Sequence, residues 1–155
     1  MLAPFHLHVL RVARGARTEL GVHAVSELDS LLPRAEVIVL ILPSTDETQG
    51  LIGSRQLALM QQGALLVNAA RGPIVETDAL VEALKSGRIR AAIDVTDPEP
   101  LPQGHPLWSC PNLLITPHIG GSSPKFSQRA LRTAANELRR YMKGEPLHNV
   151  VQVAT

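Results

Sequence analysis

Four polar side chains stand out against an otherwise aliphatic text: Arg71, Asp94, Glu99 and His118. Arg71 ends the apolar run in Ala64-Leu-Leu-Val-Asn-Ala-Ala-Arg-Gly-Pro-Ile-Val75, where the polarity changes at Asn68. The run reads as a strand buried on both faces of a parallel sheet. Gly72-Pro73 then turns the chain. A guanidinium at that point is suited to hold a carboxylate through a two-pronged contact. Asp94 lies in the next apolar run, and Glu99 follows in Asp94-Val-Thr-Asp-Pro-Glu-Pro100. His118 follows the last run, in Thr116-Pro-His-Ile-Gly-Gly121. An imidazole carries protons near neutral pH, and a neighbouring carboxylate orients it and favours its charged form. Taken singly, Arg71 is a surface-turn cap, Glu99 a solvated loop acid and His118 an ordinary hydrogen-bonded histidine. Together they follow successive strands, and in an open α/β sheet ligands sit beyond the carboxyl ends of the strands.

The elements that must position them alternate. Residues 8–12 read as a short strand, with Arg14-Gly15 as its exit turn, and 22–25 as a second. Ser26-Glu-Leu-Asp29 has the Ser-x-x-Asp pattern of a helix start, with Leu28, Leu31 and Leu32 inward. Residues 37–42 form a strong central strand closed by Pro43. Residues 54–62 are helical up to Gly63. Residues 77–86 are helical with Leu80, Ala83 and Leu84 inward, and 89–95 and 113–116 are strands. Short connections between strands and helices imply a right-handed parallel α/β sheet. Ser123-Pro124 then reads as a cap and first position of a long helix, 124–142. Phe126, Ala130, Ala134, Leu138 and Met142 form one apolar stripe along it. Such a stripe packs against a neighbouring domain or subunit, or against its own sheet. Residues 148–153 are a short apolar tail.

The chain has 155 residues, 45% of them hydrophobic and only 3% aromatic, so one domain with an aliphatic core is expected. A net charge of +1 argues against nucleic acid as the main partner. No apolar run approaches the roughly 20 residues of a membrane span. One cysteine, Cys110, excludes an internal disulfide and suits a reducing cytoplasm; it reads as structural filler. Arg11, Arg14 and Arg17 precede the first acid, Glu19, which superficially resembles a transit peptide. The strand reading of 8–12 is preferred. No metal is expected.

Val67-Asn-Ala-Ala-Arg-Gly72 through Asp78, Asp94-Val to Glu99-Pro-Leu101 and Thr116-Pro-His-Ile-Gly-Gly121 occur in this order with ordinary gaps. Together they resemble the NAD(P)-dependent D-2-hydroxyacid dehydrogenases, which include glyoxylate/hydroxypyruvate reductases and 3-phosphoglycerate dehydrogenases. The likeness runs from about His6 to the end. It implies that Arg71 binds the substrate carboxylate and polarises its carbonyl. His118 would be the acid in reduction and the base in oxidation, and Glu99 its partner. The hydride belongs to the nicotinamide. Cofactor contacts are implied at Arg14, Leu42, Pro43, Thr48, Ala69, Arg71, Asp94, His118 and Gly120. Trp108 matches a region near the substrate pocket, or serves as a core anchor.

Two departures qualify the likeness. Where many NAD enzymes carry an acid for the ribose hydroxyls, this chain has Ala13-Arg14, with Arg17 nearby. That favours a 2′-phosphate and hence NADP, with NAD as the alternative. The family's G-x-G-x-x-G loop, the strand before it and the amino-terminal substrate domain have no counterpart. The expected fold is therefore a partial Rossmann-type α/β sheet lacking its central strand, with a long C-terminal helix. Residues 1–121 would be an incomplete dinucleotide-binding domain, and 122–155 the inter-domain helix and tail of the substrate domain. The gap should leave strand edges at 8–12 and 37–42 unpaired, and the helix stripe exposed. The expected function is NAD(P)H-dependent reduction of a small 2-keto acid, or the reverse oxidation of a 2-hydroxy acid, by a cytoplasmic homodimer when complete. The chain alone is expected to be a truncated, inactive piece. The rival is a non-catalytic nucleotide-binding or scaffold remnant, as in the family's corepressor members.

Overall fold

The computed structural model describes residues 7–148 and residue 150. These fall into two compact units, one up to His118 and one from Ile119. In the first, β1 (Arg11–Ala13) pairs in parallel with β2 (Val22–Ala24). A separate parallel sheet has the order β3 (Val37–Leu40), β4 (Leu65–Asn68), β5 (Arg90–Ile93), β6 (Leu113–Ile115). The expected split is present: β1 and β3 each keep one edge with no strand beside it among the described residues.

The register explains where the core lies. Leu40, Leu66, Asn68, Ala91 and Ile93 share one face of the second sheet, and all are buried. They pack with Leu57 of α2 (Ser54–Leu59) and with Leu80, Val81 and Leu84 of α3 (Thr77–Lys85). On the other face, Val37 and Val39 are each 53% exposed and Leu114 is 61% exposed. The expectation that 64–67 is buried on both faces is therefore corrected. Alternate residues of β4 are buried and half-buried, because the core helices of this unit cover only one face.

Helix boundaries depart from the local sequence signals. Ser26 does not cap a helix; the carboxylate of Glu27 instead reaches back to the Ala24 amide at 2.9 Å. The His23 ring and that amide hold the Glu27 carboxyl below its usual range. Asp29 accepts from Gln56 and pairs with Arg55, tying α1 (Leu28–Leu31) to α2. Helix α2 ends at Leu59 rather than running to Gly63. Arg88 donates to the carbonyls of Leu57, Ala58 and Met60, stopping the helix from a distant strand entrance. In the second unit α4 spans Phe126–Met142. Ser123 is not its cap: the Ser123 hydroxyl accepts from Arg129 at 3.0 Å. No residue of α4 is buried, and Phe126, Leu138 and Met142 of the stripe stand exposed.

One-sided burial gives a direct test. Leu66→Ala should cost about 2–5 kcal/mol in urea unfolding, because Leu66 is fully buried. Leu114→Thr, on the open face, should stay within about 0.5 kcal/mol. Similar losses at both positions would contradict a core on one face only.

Candidate active site

Parallel strands bring their carboxyl ends to one edge, and each candidate side chain follows one of them. Asn68, the last residue of β4, is 2% exposed yet fully engaged. Its Oδ1 accepts the Ala70 amide at 3.1 Å, and its Nδ2 donates to the Arg71 carbonyl at 3.0 Å. The loop presenting Arg71 is therefore held by a buried amide. Arg71 itself is exposed and donates to the Ala70 carbonyl at 2.6 Å. Gly72 follows, buried against the next loop. A Cβ built there would run into the Thr96 carbonyl and lie 2.8 Å from the Asp97 nitrogen. Only glycine permits that approach.

The loop after β5 is pinned as well. The Thr77 hydroxyl donates to the Asp97 carbonyl at 2.8 Å, and that of Thr96 to the Pro98 carbonyl at 2.9 Å. The Thr116 hydroxyl donates to the Asp94 carboxylate at 2.5 Å, linking the ends of β5 and β6. From these braced loops Glu99 and His118 meet, with Oε1 to Nδ1 at 2.6 Å. Their side chains are 39% and 47% exposed. His118 has φ 54°, in the left-handed region. Such a conformation costs a non-glycine residue about 1–2 kcal/mol, while an exposed ion pair returns about 0–1. The pair therefore does not repay the cost of that backbone conformation.

A cleft of about 620 Å³ opens beside these loops, lined by Ile41, Leu42, Pro43, Ala69, Arg71 and Pro73 among others. Four of the expected cofactor contacts, Leu42, Pro43, Ala69 and Arg71, thus share one wall. Thr48 stands behind that wall and braces it. Its hydroxyl accepts the Thr45 amide and donates to the Pro43 carbonyl, each at 2.8 Å. Arg14 is exposed and pairs with Glu47 at 3.0 Å. Gly120 belongs to the second unit. Trp108 is 56% exposed, so it is not a core anchor; its neighbour Leu107 is buried instead, under a turn closed by His105 Nδ1 and the Leu107 amide. Burial pushes the Cys110 thiol up, with Lys85 opposing and Glu82 adding to the effect. No cluster of three metal-ligating residues occurs among the described residues. No described helix is long and apolar enough to cross a membrane.

Asn68, Thr116 and Arg88 hold loops and helix ends, roles that the sequence alone did not assign to them. A polar residue closing a β-branched run was a usable signal for Asn68. Arg88 had none, because its acceptors lie about 30 positions away in sequence.

Residues 1–120 match the family described as D-isomer specific 2-hydroxyacid dehydrogenase, NAD binding domain. The chain belongs to this family. A glyoxylate/hydroxypyruvate reductase B from Citrobacter koseri is 42% identical over 126 residues, 81% of this chain and 39% of that protein. A D-isomer specific 2-hydroxyacid dehydrogenase from Xanthobacter autotrophicus Py2, solved with NADPH and MES, matches at TM-score 0.80 and 39% identity, covering 91% of this chain and 59% of that one. An NADPH-dependent glyoxylate/hydroxypyruvate reductase from Sinorhizobium meliloti, solved with NADP and sulfate, matches at TM-score 0.86 and 29% identity, covering 97% and 50%. The chain spans about half the length, or less, of the curated relatives it matches.

Two substitutions test the loop architecture. Asn68→Ala should cost about 1–3 kcal/mol in urea unfolding, since it leaves the Ala70 amide unpaired and the Arg71 carbonyl with only the long bond from the Ile74 amide at 3.4 Å. Gly72→Ala should cost a similar 1–3 kcal/mol or more through the clash with Thr96, and hydrogen exchange should quicken in both adjoining loops. Unchanged stability in either variant would show that the loops are not coupled this way. Cys110 offers a pH test. Its raised pKa means less thiolate at neutral pH, so alkylation should be slower than for free cysteine. The rate should still climb above pH ~8.5.

Proposed function

We propose that these residues form the catalytic end of an NAD(P)H-dependent reductase of small 2-keto acids, of the glyoxylate or hydroxypyruvate type. The observation that supports this most is the Glu99–His118 pair at 2.6 Å, beyond the same sheet edge as Arg71. The wall of Leu42, Pro43, Ala69 and Arg71 fits the nicotinamide end of a dinucleotide: apolar, with one cation at its rim. Asp94, held by Thr116, follows β5 at the same sheet edge. The pyrophosphate end has no such match, because the sequence contains no glycine-rich G-x-G-x-x-G turn.

The reduced cofactor, when bound, supplies the hydride. The chain's own groups do the rest. Arg71 grips the carboxylate and orients the keto carbon, as a forked guanidinium does. Glu99 holds His118 at Nδ1, which makes Nε2 the atom that gives a proton to the carbonyl oxygen and recovers one in the reverse direction. Arg14 lies beyond β1, where a 2′-phosphate would compete with Glu47 for its guanidinium. The relatives named for NADPH support that preference. A homodimer, a cytoplasmic location and the assignment of α4 and the tail to a substrate domain belong to the same proposal.

The rival reading is a remnant that binds nucleotide or a partner without chemistry. The separating experiment follows NADPH consumption with glyoxylate. It compares the 155-residue chain with a chimaera carrying the amino-terminal part of a glyoxylate reductase relative. The short chain should be nearly inactive, because positioning is worth about 7–11 kcal/mol of barrier and its residues act only on a positioned substrate. The chimaera should turn over, and His118→Ala in it should lower kcat by about 10²–10⁴. A folded chimaera that binds NADPH but does not react supports the rival. In the active chimaera NADPH should be preferred over NADH by roughly 10- to 100-fold in kcat/KM, the effect of one charge-assisted contact. Equal values would make Arg14 a bystander.

A further inference from the structure

The left-handed backbone of His118, at φ 54°, is held by more than the pair with Glu99, and the bonds converge on Thr116. The Thr116 amide donates to the Ile93 carbonyl at 2.9 Å, extending the β5–β6 ladder one residue past β6. Its hydroxyl donates to the Asp94 carboxylate at 2.5 Å. Its carbonyl accepts the His118 amide at 3.0 Å, closing a tight turn over Pro117. Thr116 thus binds the exit of β5 through its amide and hydroxyl, and His118 through its carbonyl. The anchor is itself fixed. Ile93 and Val95 on either side of Asp94 are buried, and the Asp94 amide donates to the Asn68 carbonyl at 2.9 Å. A hydroxyl bonded to a carboxylate makes a stronger bond than a neutral pair does. A β-branched side chain has few χ1 choices, so fixing the Thr116 hydroxyl also fixes the direction in which its backbone leaves the sheet. Pro117 then adds a locked φ, and little torsional freedom is left before the imidazole.

We propose that Thr116 is a positioning residue for His118, a role that rests on the reading of His118 as the proton carrier. Its hydroxyl, anchored on Asp94, sets the Thr116-Pro117-His118 turn so that Nδ1 of the ring meets Glu99. Glu99 and His118 are each more than a third exposed, so the ring is aimed from the half-buried backbone side rather than by attraction across solvent. An ionised carboxylate only accepts. The pair therefore puts the proton of the neutral ring on Nδ1 and the lone pair on Nε2. A ring released from this turn loses that bias. His105 has the opposite arrangement: its Nδ1 accepts the Leu107 amide at 3.2 Å, so its neutral ring carries the proton on Nε2. Valine at 116 would keep nearly the shape of threonine without the donor, and serine would keep the donor.

The test reads ring tautomers from nitrogen chemical shifts in the 155-residue chain carrying isotope-labelled histidine, well above the ordinary histidine pKa of about 6.5. The unchanged chain should show His118 mainly as Nδ1–H and His105 mainly as Nε2–H; His118 mainly as Nε2–H would overturn the proposal at once. Thr116→Val should lower the Nδ1–H to Nε2–H ratio of His118 about two- to tenfold, the effect of losing one ordinary hydrogen bond. His105 should stay as it was. Thr116→Ser should restore the ratio at His118. An unmoved ratio in Thr116→Val or a failure of serine to restore it overturns the proposal, and so does an equal change at His105, which would mean general loosening. If Thr116→Val fails to fold, Asp94→Ala removes the anchor from the other side: the same loss at His118 supports the proposal and its absence overturns it. Activity is read separately. In the active chimaera Thr116→Val should lower kcat by up to about a hundredfold, the cost of a displacement near 1 Å, with little change in KM; a loss in KM alone overturns the proposal. Unchanged turnover in His118→Ala would instead remove the reading of His118 as proton carrier, while the tautomer ratio still decides whether Thr116 positions the ring.

Discussion

The contact of Gly72 with the Thr96 carbonyl is the constraint on which the candidate site depends. At that point two loops touch backbone to backbone, with no room for a Cβ. One loop carries Arg71 and is locked from inside by Asn68. The other carries Glu99 and is tied down by Thr77. Thr116 then joins the second loop's start, Asp94, to the end of β6, two residues before His118. Each bond contributes only about 0.5–1.5 kcal/mol net. Their importance is geometric, because a displacement of 1 Å is enough to cost a reaction about a hundredfold.

The parts legible in the sequence were those set by local chemistry. Apolar runs located β3, β4, β5 and β6, and four-residue spacing located α4, because periodicity leaves a direct trace. The joint placement of Arg71, Glu99 and His118 after successive strands was legible for the same reason. Boundaries and caps were not. Ser26 and Ser123 have the right type for helix starts, but Glu27 supplies the bond at the first and Arg129 occupies the hydroxyl at the second. Helix α2 is stopped by Arg88, and Arg14 finds Glu47 33 positions away. Such pairs depend on the folded path, and no window of sequence contains both partners.

The uneven burial of the sheet has its own logic. A parallel strand has the composition for two covered faces, and Val37, Val39 and Leu114 have it without the cover. Exposed aliphatics scattered singly are ordinary, but here the register aligns them across one face through Leu65, Val67 and Ala92. Asn68 shows the contrast on the covered face: a buried polar group tolerated because both ends of its amide are satisfied. The chain thus concentrates its hydrogen-bonded precision on the covered side of the sheet and on the edge where Arg71, Glu99 and His118 stand.

Exposure also bears on what Glu99 is able to do. Two unit charges 4 Å apart interact by about 1 kcal/mol in water and about 4 kcal/mol at an effective dielectric near 20. With both side chains more than a third exposed, the pair lies toward the weaker limit. In this setting Glu99 mainly orients the ring, through a short bond to Nδ1. The orientation is already built into the chain, in the braced loops and the left-handed backbone of His118.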